Sequence, residues 1–443
     1  MLNDAETSAT VNVVHNVNIP LTGGHIHRAP AGVNGPIIFP FPSPASPIGP
    51  LVWAIPAADV ANLKAAGLYV NIHTTVNPGG AIRDQLRRFS FVPNATGGAQ
   101  AAVAGVLDVA ATHNADLDSV MVGLVMGTSA ARASALSELT GNTIYAQGRQ
   151  AVEAMATTQD SLFERAEDAG PDGRLGGFVI VGKGFGARKG NEFQSASKVS
   201  QPFLVTGLDI PVGEGASLGL AFGLADGKDK FKDGVGQTDA KTTSLSAYVS
   251  AGGDAIRVTG LIGYGWNEYE TTRSLASLGR RATSEHDGSV WAIGAKASMP
   301  MSLGGGAVTP YAAVDYQSAS VDAYQEAGAS SLGLTVPKHK SKNAGLELGA
   351  TALVGDTAAT HGRLQLGYRM VLDDARDTLA VSLIGSPATF PVEVLSQGAS
   401  AIRASASVVG RLAPGATLSA GYRGLFSQRT DNHAVEVRLT VRM

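Results

Sequence analysis

The chain has 443 residues, a net charge of -3, 16% charged residues and no cysteine. The absence of cysteine excludes disulfides and thiolate metal sites, and the charge balance lacks the basic excess that is typical of nucleic-acid binding. Mean hydropathy is +0.08, but no continuous apolar stretch reaches the roughly 18 residues of a transmembrane helix. Hydrophobicity is therefore distributed over many short segments, as it is in a protein made of strands.

The first residues, MLNDAETSATVNVV, lack the basic and apolar regions of a secretory signal peptide. Taken alone, this start predicts a cytoplasmic protein. The C-terminal half of the chain predicts an exported one, as described below. We therefore expect the native signal peptide to lie upstream of Met1 and to be missing from this chain.

Three segments of the first 90 residues share a pattern of Gly, Pro and His: GGHIHRAPAGVNGPIIF, LKAAGLYVNIHT and NPGGAIRDQL. They resemble the CHRD domain, a β-rich module of chordin that is widespread in bacteria. The positions that match its two blocks are His25, His27, Gly32, Gly35, Pro36, Tyr69, Val70, Asn71, His73, Thr74, Pro78, Gly79, Gly80, Ile82, Arg83 and Leu86. Ala81 and Asp84 depart from the acidic residue and the glycine that are usual there. The resemblance covers about residues 10–89 and implies a small β-rich domain that lacks its first strands.

His25, His27 and His73 are the candidate metal ligands of this region. Residues i and i+2 of a strand point to the same side, about 6.6 Å apart, so the first two imidazoles can face one ion. A third imidazole from a neighbouring strand would complete an open site for a divalent metal, with His15 as a further ligand that nothing places. The alternative is that these side chains hydrogen-bond the backbone of the Gly-Pro loops and hold no cofactor. No nucleophile–base pair or phosphate-binding loop accompanies them, so no enzymatic activity is predicted.

The segment from Asn94 to Asp168 is rich in alanine and poor in β-branched residues. AARASALSEL and Ile144–Glu167 are predicted helices, and Ala169–Gly173 is predicted to end the second one. The second helix lacks a wide apolar stripe. It is either a linker helix packed on another surface or a helix inside the polar lumen of a barrel. In the second case four side chains would pair with charges of the lumen: Arg149, Glu153, Glu164 and Arg165.

From about Gly177, apolar and polar residues alternate in roughly twelve segments, many of them about ten residues or longer. In the last segment, HAVEVRLTVRM, one face carries Val435, Val437, Leu439, Val441 and Met443, and the other carries Glu436, Arg438, Thr440 and Arg442. The predicted strands start at Gly177, Val199, Ala216, Lys241, Ala255, Glu285, Ala307, Lys342, Gly362, Ala399, Ala416 and Asn432. Long polar connections alternate with very short ones, which is typical of an outer-membrane barrel.

A soluble β-sandwich also alternates, with its apolar face against a second sheet. Two features favour the membrane barrel. Arg369 and Arg438 lie in the middle of the polar face, where a wet lumen accommodates charge. Aromatic residues lie toward strand ends on the apolar face, where interfacial girdles form: Tyr264, Trp266, Tyr368, Tyr422 and Phe426.

Residues from about Asn94 to Met443 resemble the translocator domain of bacterial autotransporters, the type V secreted proteins. The likeness lies in AAVAGVLDVAATHNADLDSVMVGL, ALSELTGNTIYAQGRQAVEAMATTQDSLFERAED, TGLDIPVGEGASLGLAFG, AYVSAGGDAIRVTGLIGYGWNEYE, VTPYAAVDYQ and LSAGYRGLFSQRTDNHAVEVRLTVRM, in that order. The family usually ends on an aromatic residue, whereas this chain ends on Met443. The resemblance implies that the helix before the barrel is the part of the exported chain that remains in the pore.

The sequence therefore predicts a mainly β protein: an antiparallel transmembrane β-barrel of about twelve strands with an internal helix, plus a small N-terminal CHRD-like domain. The expected domains are residues 1–89, a passenger; 90–175, a helical linker; and 176–443, the barrel. We expect a monomeric barrel in outer-membrane lipid that displays the passenger at the cell surface, and the resemblance implies periplasmic chaperones and the barrel-assembly machinery as partners. The alternatives are a plugged outer-membrane channel and a surface metal-binding module.

Overall fold

The structure is a computed structural model. It describes residues 2–3, 5–87, 89–109, 114–168, 174–191, 193–253, 255–303, 306–356, 359–372, 376–395 and 400–443. These residues form two compact units. The first consists of residues 1–96, 100–136 and 385–388, and the second of residues 97–99, 137–384 and 389–443.

The first unit begins with short strands and one helix, as the Gly- and Pro-rich sequence predicts. These elements are β1 (Ala9–Val13), β2 (Leu21–Arg28), β3 (Ile37–Pro40), β4 (Ile48–Trp53), α1 (Ala57–Lys64), β5 (Leu68–Thr74) and β6 (Ile82–Gln85). β1 pairs with β4, and a four-stranded sheet has the order β3-β2-β5-β6. The prediction of a small β-rich N-terminal domain is confirmed.

The two faces of this four-stranded sheet differ in polarity because side chains alternate along each strand. Ile26, Leu68, Val70 and Ile72 lie on the apolar face and form a buried core with residues such as Trp53. The opposite face carries the polar residues of the same strands. In the register of β2 and β5, Gly23 pairs with His73, His25 with Asn71, and His27 with Tyr69. All three candidate histidines therefore share one face of one sheet.

Four α-helices follow in the described residues: α2 (Gly98–Val109), α3 (Ala115–Met126), α4 (Ser129–Leu139) and α5 (Tyr145–Asp168). Asn114 caps α3, because its side chain accepts hydrogen bonds from the backbone N–H groups of Asp116 and Leu117. The predicted helix over Ile144–Glu167 corresponds to α5. Its predicted end at Ala169–Gly173 lies outside the described residues. Short 3₁₀ helices occupy Val92–Asn94, Lys232–Gly234, Ala276–Leu278 and Ser330–Leu332.

Twelve long antiparallel strands form the barrel. They are β7 (Gly176–Arg188), β8 (Ser197–Gly213), β9 (Ala216–Phe231), β10 (Gly236–Gly252), β11 (Arg257–Leu275), β12 (Arg280–Ser298), β14 (Gly306–Val321), β17 (His339–Gly355), β18 (Thr360–Val371), β21 (Ala401–Ala413), β22 (Ala416–Ser427) and β23 (Thr430–Arg442). The prediction of a twelve-stranded barrel is confirmed. The largest displacements are at β10 and β12, which begin five residues before the predicted Lys241 and Glu285. The predicted start at Ala399 lies outside the described residues.

The last strand closes the barrel by pairing with the first. β23 and β7 are hydrogen-bonded from Thr430↔Arg188 to Arg442↔Gly176, and β12 pairs with β14 on the far side. Closure leaves no strand edge, which is the condition for crossing a lipid bilayer with strands. The alternative of a two-layer sandwich is therefore wrong for this segment.

The two rims of the barrel differ in the length of their connections. At one rim, turns such as the one between Gly213 and Ala216 join neighbouring strands directly. At the other rim, the connections after β14 and β18 carry a four-stranded sheet of order β15-β16-β19-β20. Its strands are β15 (Tyr324–Gln325), β16 (Leu334–Val336), β19 (Arg376–Leu383) and β20 (Thr389–Leu395). The short β13 (Met301–Leu303) belongs to the first rim, where it pairs with the start of β14. We call these the short-turn rim and the long-loop rim.

Side chains of the barrel strands alternate between an exposed apolar face and a buried polar face. Val435, Val437, Leu439 and Val441 of β23 point outward and are exposed, whereas Arg438 is only 5% exposed. The predicted girdle aromatics, including Trp266 and Tyr368, are exposed on the same outer face. Among the described residues, no helix combines the length and the hydrophobicity needed to cross a membrane.

Candidate functional site: the lumen helix and the histidine cluster

Helix α5 lies inside the barrel and packs on the inner faces of its strands. It has 24 residues, which corresponds to about 36 Å at 1.5 Å per residue. This length matches the roughly 30 Å hydrocarbon core that the barrel must cross. Ala151, Val152 and Met155 of the helix pack with Tyr269 and Val290 of the wall. The prediction of an internal helix is confirmed.

The helix runs from the long-loop rim to the short-turn rim. Near its start, the Tyr145 hydroxyl donates to the carbonyl of Ser195, in the connection after β7, at 2.8 Å. Just upstream, the carbonyl of Glu138 accepts from Arg273 at 2.7 Å, at the end of β11 on the same rim. Near its end, Arg165 contacts Asp209 beside the tight turn after β8. The chain therefore enters the lumen at the long-loop rim and reaches the first strand at the short-turn rim.

Ion pairs fix the helix to the wall in its first half and near its C-terminal end. Glu153 is paired with Arg188 at 2.5 Å, and Arg188 also contacts Asp229. Arg165, 1% exposed, donates from Nε to Asp209 at 2.7 Å. The predicted pairing of Glu153 and Arg165 with lumen charges therefore agrees with the geometry. These charges are removed from bulk water, so each needs its partner.

The last two turns of the helix present an acidic face to a basic wall. Glu164 accepts from Arg438 at 2.7 Å, Asp160 accepts from Arg403 at 2.6 Å, and Glu167 contacts Lys296 at 2.5 Å. Asp160, Glu164 and Glu167 are spaced i, i+4 and i+7, which places them on one side of a helix. This spacing is the signal that our sequence reasoning missed for Asp160 and Glu167.

Arg149 differs from its predicted role. It pairs within the helix with Glu153, four residues on, at 3.1 Å, and donates to the hydroxyl of Thr430 on β23. Glu153 already accepts from Arg188, so Arg149 shares this carboxylate. A cavity of about 130 Å³ remains beside the helix, lined in part by Glu153, Asp160 and Arg403. Its volume is enough for several ordered waters.

In the first unit, the imidazoles of His25, His27 and His73 lie together. Each offers one ligand nitrogen, and these atoms all lie within 4.8 Å of one another. The ring centroids of His25 and His73 are 5.1 Å apart, and those of His25 and His27 are 5.7 Å apart. His15 is turned elsewhere, since its Nε2 contacts the carbonyl oxygen of Pro44 at 2.8 Å. The sequence placed two of these rings on one side of a strand, and pairing of β2 with β5 adds the third.

Backbone contacts orient two of the three rings, as the alternative interpretation predicted. Nδ1 of His27 donates to the carbonyl of Gly35 at 2.9 Å, and Nδ1 of His73 donates to the carbonyl of Pro78 at 2.8 Å. A neutral imidazole that donates from Nδ1 has a lone pair on Nε2. Both Nε2 atoms are buried and have no hydrogen-bond partner, and the same holds for Nδ1 of His25. The backbone contacts therefore leave three ring nitrogens unsatisfied.

The fold and the lumen helix define a class: a closed membrane barrel whose first strand is preceded by a helix held in its pore. The model of the autotransporter beta-domain family matches residues 177–423. The chain belongs to this family. The CHRD domain model matches residues 1–86.

The fold is shared with a solved translocator domain. The translocator domain of the autotransporter NalP from Neisseria meningitidis is 16% identical, covers 66% of this chain and 97% of its own, and superposes with a TM-score of 0.55. The beta domain of the Bordetella autotransporter Brka is 13% identical over 60% of this chain and 99% of its own, with a TM-score of 0.44. The transport unit of the autotransporter AIDA-I from Escherichia coli is 14% identical. The match covers 61% of this chain and 89% of its own, with a TM-score of 0.45. No curated protein matches this chain.

Family membership places the barrel in the outer membrane. Autotransporter β-domains are outer-membrane barrels of type V secretion, and their role is transport and not catalysis. The exposed apolar band and the closed sheet are the physical requirements of that location.

Proposed function

We propose that the barrel exports the N-terminal CHRD-like region across the outer membrane and anchors it at the cell surface. The observation that supports this proposal best is the direction of α5. Outer-membrane barrels carry short turns on the periplasmic side and longer loops outside. Because the helix starts at the long-loop rim, the chain upstream of Tyr145 leaves the lumen on the outer side.

The lumen contacts support an anchoring role after export. Acidic residues of the helix face arginines of the closing strands β21 to β23, and the buried pairs of Glu153 and Arg165 hold it in register with the wall. A helix held in this way both tethers the upstream chain and fills the pore. Insertion of the barrel proceeds in outer-membrane lipid, with periplasmic chaperones and the barrel-assembly machinery as partners, and one barrel exports one passenger.

Protease shaving of intact cells tests the proposal. The chain, preceded by a signal peptide, is expressed in a Gram-negative host, and the cells are treated with an impermeant protease. We expect loss of an epitope placed within residues 1–89 while the barrel stays membrane-bound. A periplasmic marker protein that stays intact is the control for cell integrity.

A truncation that removes β23 provides the matched control, because the barrel then cannot close between β23 and β7. Its N-terminal epitope is expected to remain protected. Protection of the epitope in the full chain, with the barrel folded as shown by heat-modifiable gel mobility, would instead support a periplasmic plug of a channel and contradict export.

A further inference from the structure

Three histidines of the N-terminal unit each bring one ring nitrogen to within 4.8 Å of the others, and each also has a buried ring nitrogen without a hydrogen-bond partner. His27 is only 8% exposed, and its Nε2 has no hydrogen-bond partner, like Nε2 of His73 and Nδ1 of His25. Buried polar atoms are nearly always satisfied, so three adjacent exceptions need an explanation. We propose that His25, His27 and His73 bind one divalent transition-metal cation of the Zn²⁺ class.

The protonation pattern suits a metal and not a proton. Metal-bound imidazoles typically donate their other ring N–H to a backbone carbonyl or a carboxylate, which fixes the tautomer. His27 and His73 do so toward Gly35 and Pro78.

The surroundings hold the rings in place. Tyr69 stacks on His27 with ring centroids 4.8 Å apart and planes at 8°, and its hydroxyl accepts from the backbone N–H of Gly35 at 3.1 Å. The guanidinium of Arg83 lies over the Tyr69 ring, 3.4 Å from its centroid. Gly35, whose carbonyl orients His27, therefore also positions the aromatic ring that supports it.

The donor set selects the metal. Within the described part of the chain the group consists of three imidazoles and no carboxylate, which favours Zn²⁺ and its neighbours over the oxygen-seeking Mg²⁺ and Ca²⁺. At Zn–N distances of about 2.0–2.1 Å, nitrogens of a tetrahedral site lie about 3.3 Å apart. From within 4.8 Å of one another, the ring nitrogens would have to close by at most about 1.5 Å, through side-chain rotation, to reach this separation. His25 and His73 are partly exposed, which leaves the fourth position open to water.

Zn²⁺ titration of the full-length chain tests the site. The protein is purified in detergent without a polyhistidine tag, stripped with a chelator, and titrated by calorimetry with Zn²⁺ or with Mg²⁺. We expect one Zn²⁺ per chain, confirmed by elemental analysis, and no Mg²⁺ binding at this site. Absence of Zn²⁺ binding in the wild-type chain would overturn the proposal.

His25→Ala is the decisive variant, because its buried Nδ1 has no hydrogen-bond partner to lose. We expect its Zn²⁺ affinity to fall by about tenfold or more, with the far-UV circular dichroism unchanged. His15→Ala, which removes a histidine outside the cluster, is expected to retain wild-type affinity. Equal Zn²⁺ affinity in His25→Ala and the wild type would refute the assignment.

A second measurement covers the case in which a variant folds poorly. Co²⁺ added to the wild-type chain is expected to give the visible absorption of a low-coordinate nitrogen site, and Zn²⁺ is expected to displace it. An octahedral Co²⁺ spectrum identical to that of the aquo ion would overturn the proposal without any substitution. Neither measurement depends on export, so the metal site and the proposed function fail separately.

Discussion

Replacement of Arg165 by methionine would leave Asp209 as a buried carboxylate without its guanidinium. The two side chains are 1% and 3% exposed, and the Tyr248 hydroxyl would remain as a donor to Asp209. Methionine retains most of the aliphatic volume, so the change removes charge more than packing. If ion pairs hold α5 in the lumen, the docked helix is destabilised relative to the undocked one, in which water solvates Asp209.

The size of the effect follows from the burial of the pair. Breaking a buried ion pair by removing one partner costs about 3–5 kcal/mol. At about 1.4 kcal/mol per factor of ten, the lower value corresponds to a roughly 100-fold rise in the fraction of barrels with an undocked helix. The exposed pair Lys241–Glu270, 3.6 Å apart on neighbouring strands, provides the control. Lys241→Met removes an interaction worth about 1 kcal/mol or less.

Planar-bilayer recording measures this fraction as the time that single barrels spend in a conducting state. We expect Arg165→Met to increase it strongly, and Lys241→Met to leave it near the wild-type value. The double variant Arg165→Met/Asp209→Asn should bring the conducting fraction much of the way back to the wild-type value, because no buried charge then lacks a partner. A conducting fraction for Arg165→Met within about threefold of the wild type would refute the reasoning, since a lost buried pair predicts a roughly 100-fold change.

Two further substitutions test the barrel itself. Ile262→Arg places a charge on the outer face of β11, where Ile262 is 59% exposed, and is expected to lower the free energy of unfolding in lipid vesicles by about 2–4 kcal/mol. Val212→Arg, equally exposed but beside the turn after β8, should cost at most about 1 kcal/mol; equal urea midpoints for the two variants would contradict a membrane-facing surface. Gly219→Ala would press a methyl group into the ring of Tyr248 and so destabilise the folded barrel. In a heat-modifiability gel, the fast-migrating band of the folded barrel should therefore disappear at a lower temperature than in the wild type. Gly260→Ala, whose nearest neighbour would be 3.9 Å away, should behave as the wild type, and identical melting of both variants would show that the ring moves aside without cost.

The strands could be predicted because lipid and lumen impose opposite polarities on alternate residues. In β23 this alternation gives the strand, its faces and its inward arginine, Arg438, from local sequence alone. The rim sheet β15-β16-β19-β20 was not predicted. Its strands are short, and their partners lie in a connection far along the chain, so no local period marks them.

Side-chain partners in the lumen could be predicted only in kind. The polar character of α5 indicates that charges meet it, but which charges do so depends on the shear of the barrel. Arg149 shows where sequence-based prediction of these partners fails. It pairs with Glu153 on the same helix instead of with a charged residue of the wall. The histidine cluster could also be predicted only in part. Strand geometry places His25 and His27 on one side of β2, whereas the position of His73 beside them depends on the register of β2 and β5.

The unequal distribution of charge between α5 and the wall has a consequence for ion flow. Among the described residues of the helix, acidic side chains outnumber the two arginines, and Asp160, Glu164 and Glu167 face arginines that belong to the wall. Wall carboxylates still pair with two of these arginines, Glu347 with Arg403 and Glu436 with Arg423, so withdrawal of the helix would make the lumen more electropositive without leaving every arginine unpaired. Reversal potentials across a potassium chloride gradient should then reveal selectivity for chloride, a property that the plugged barrel conceals.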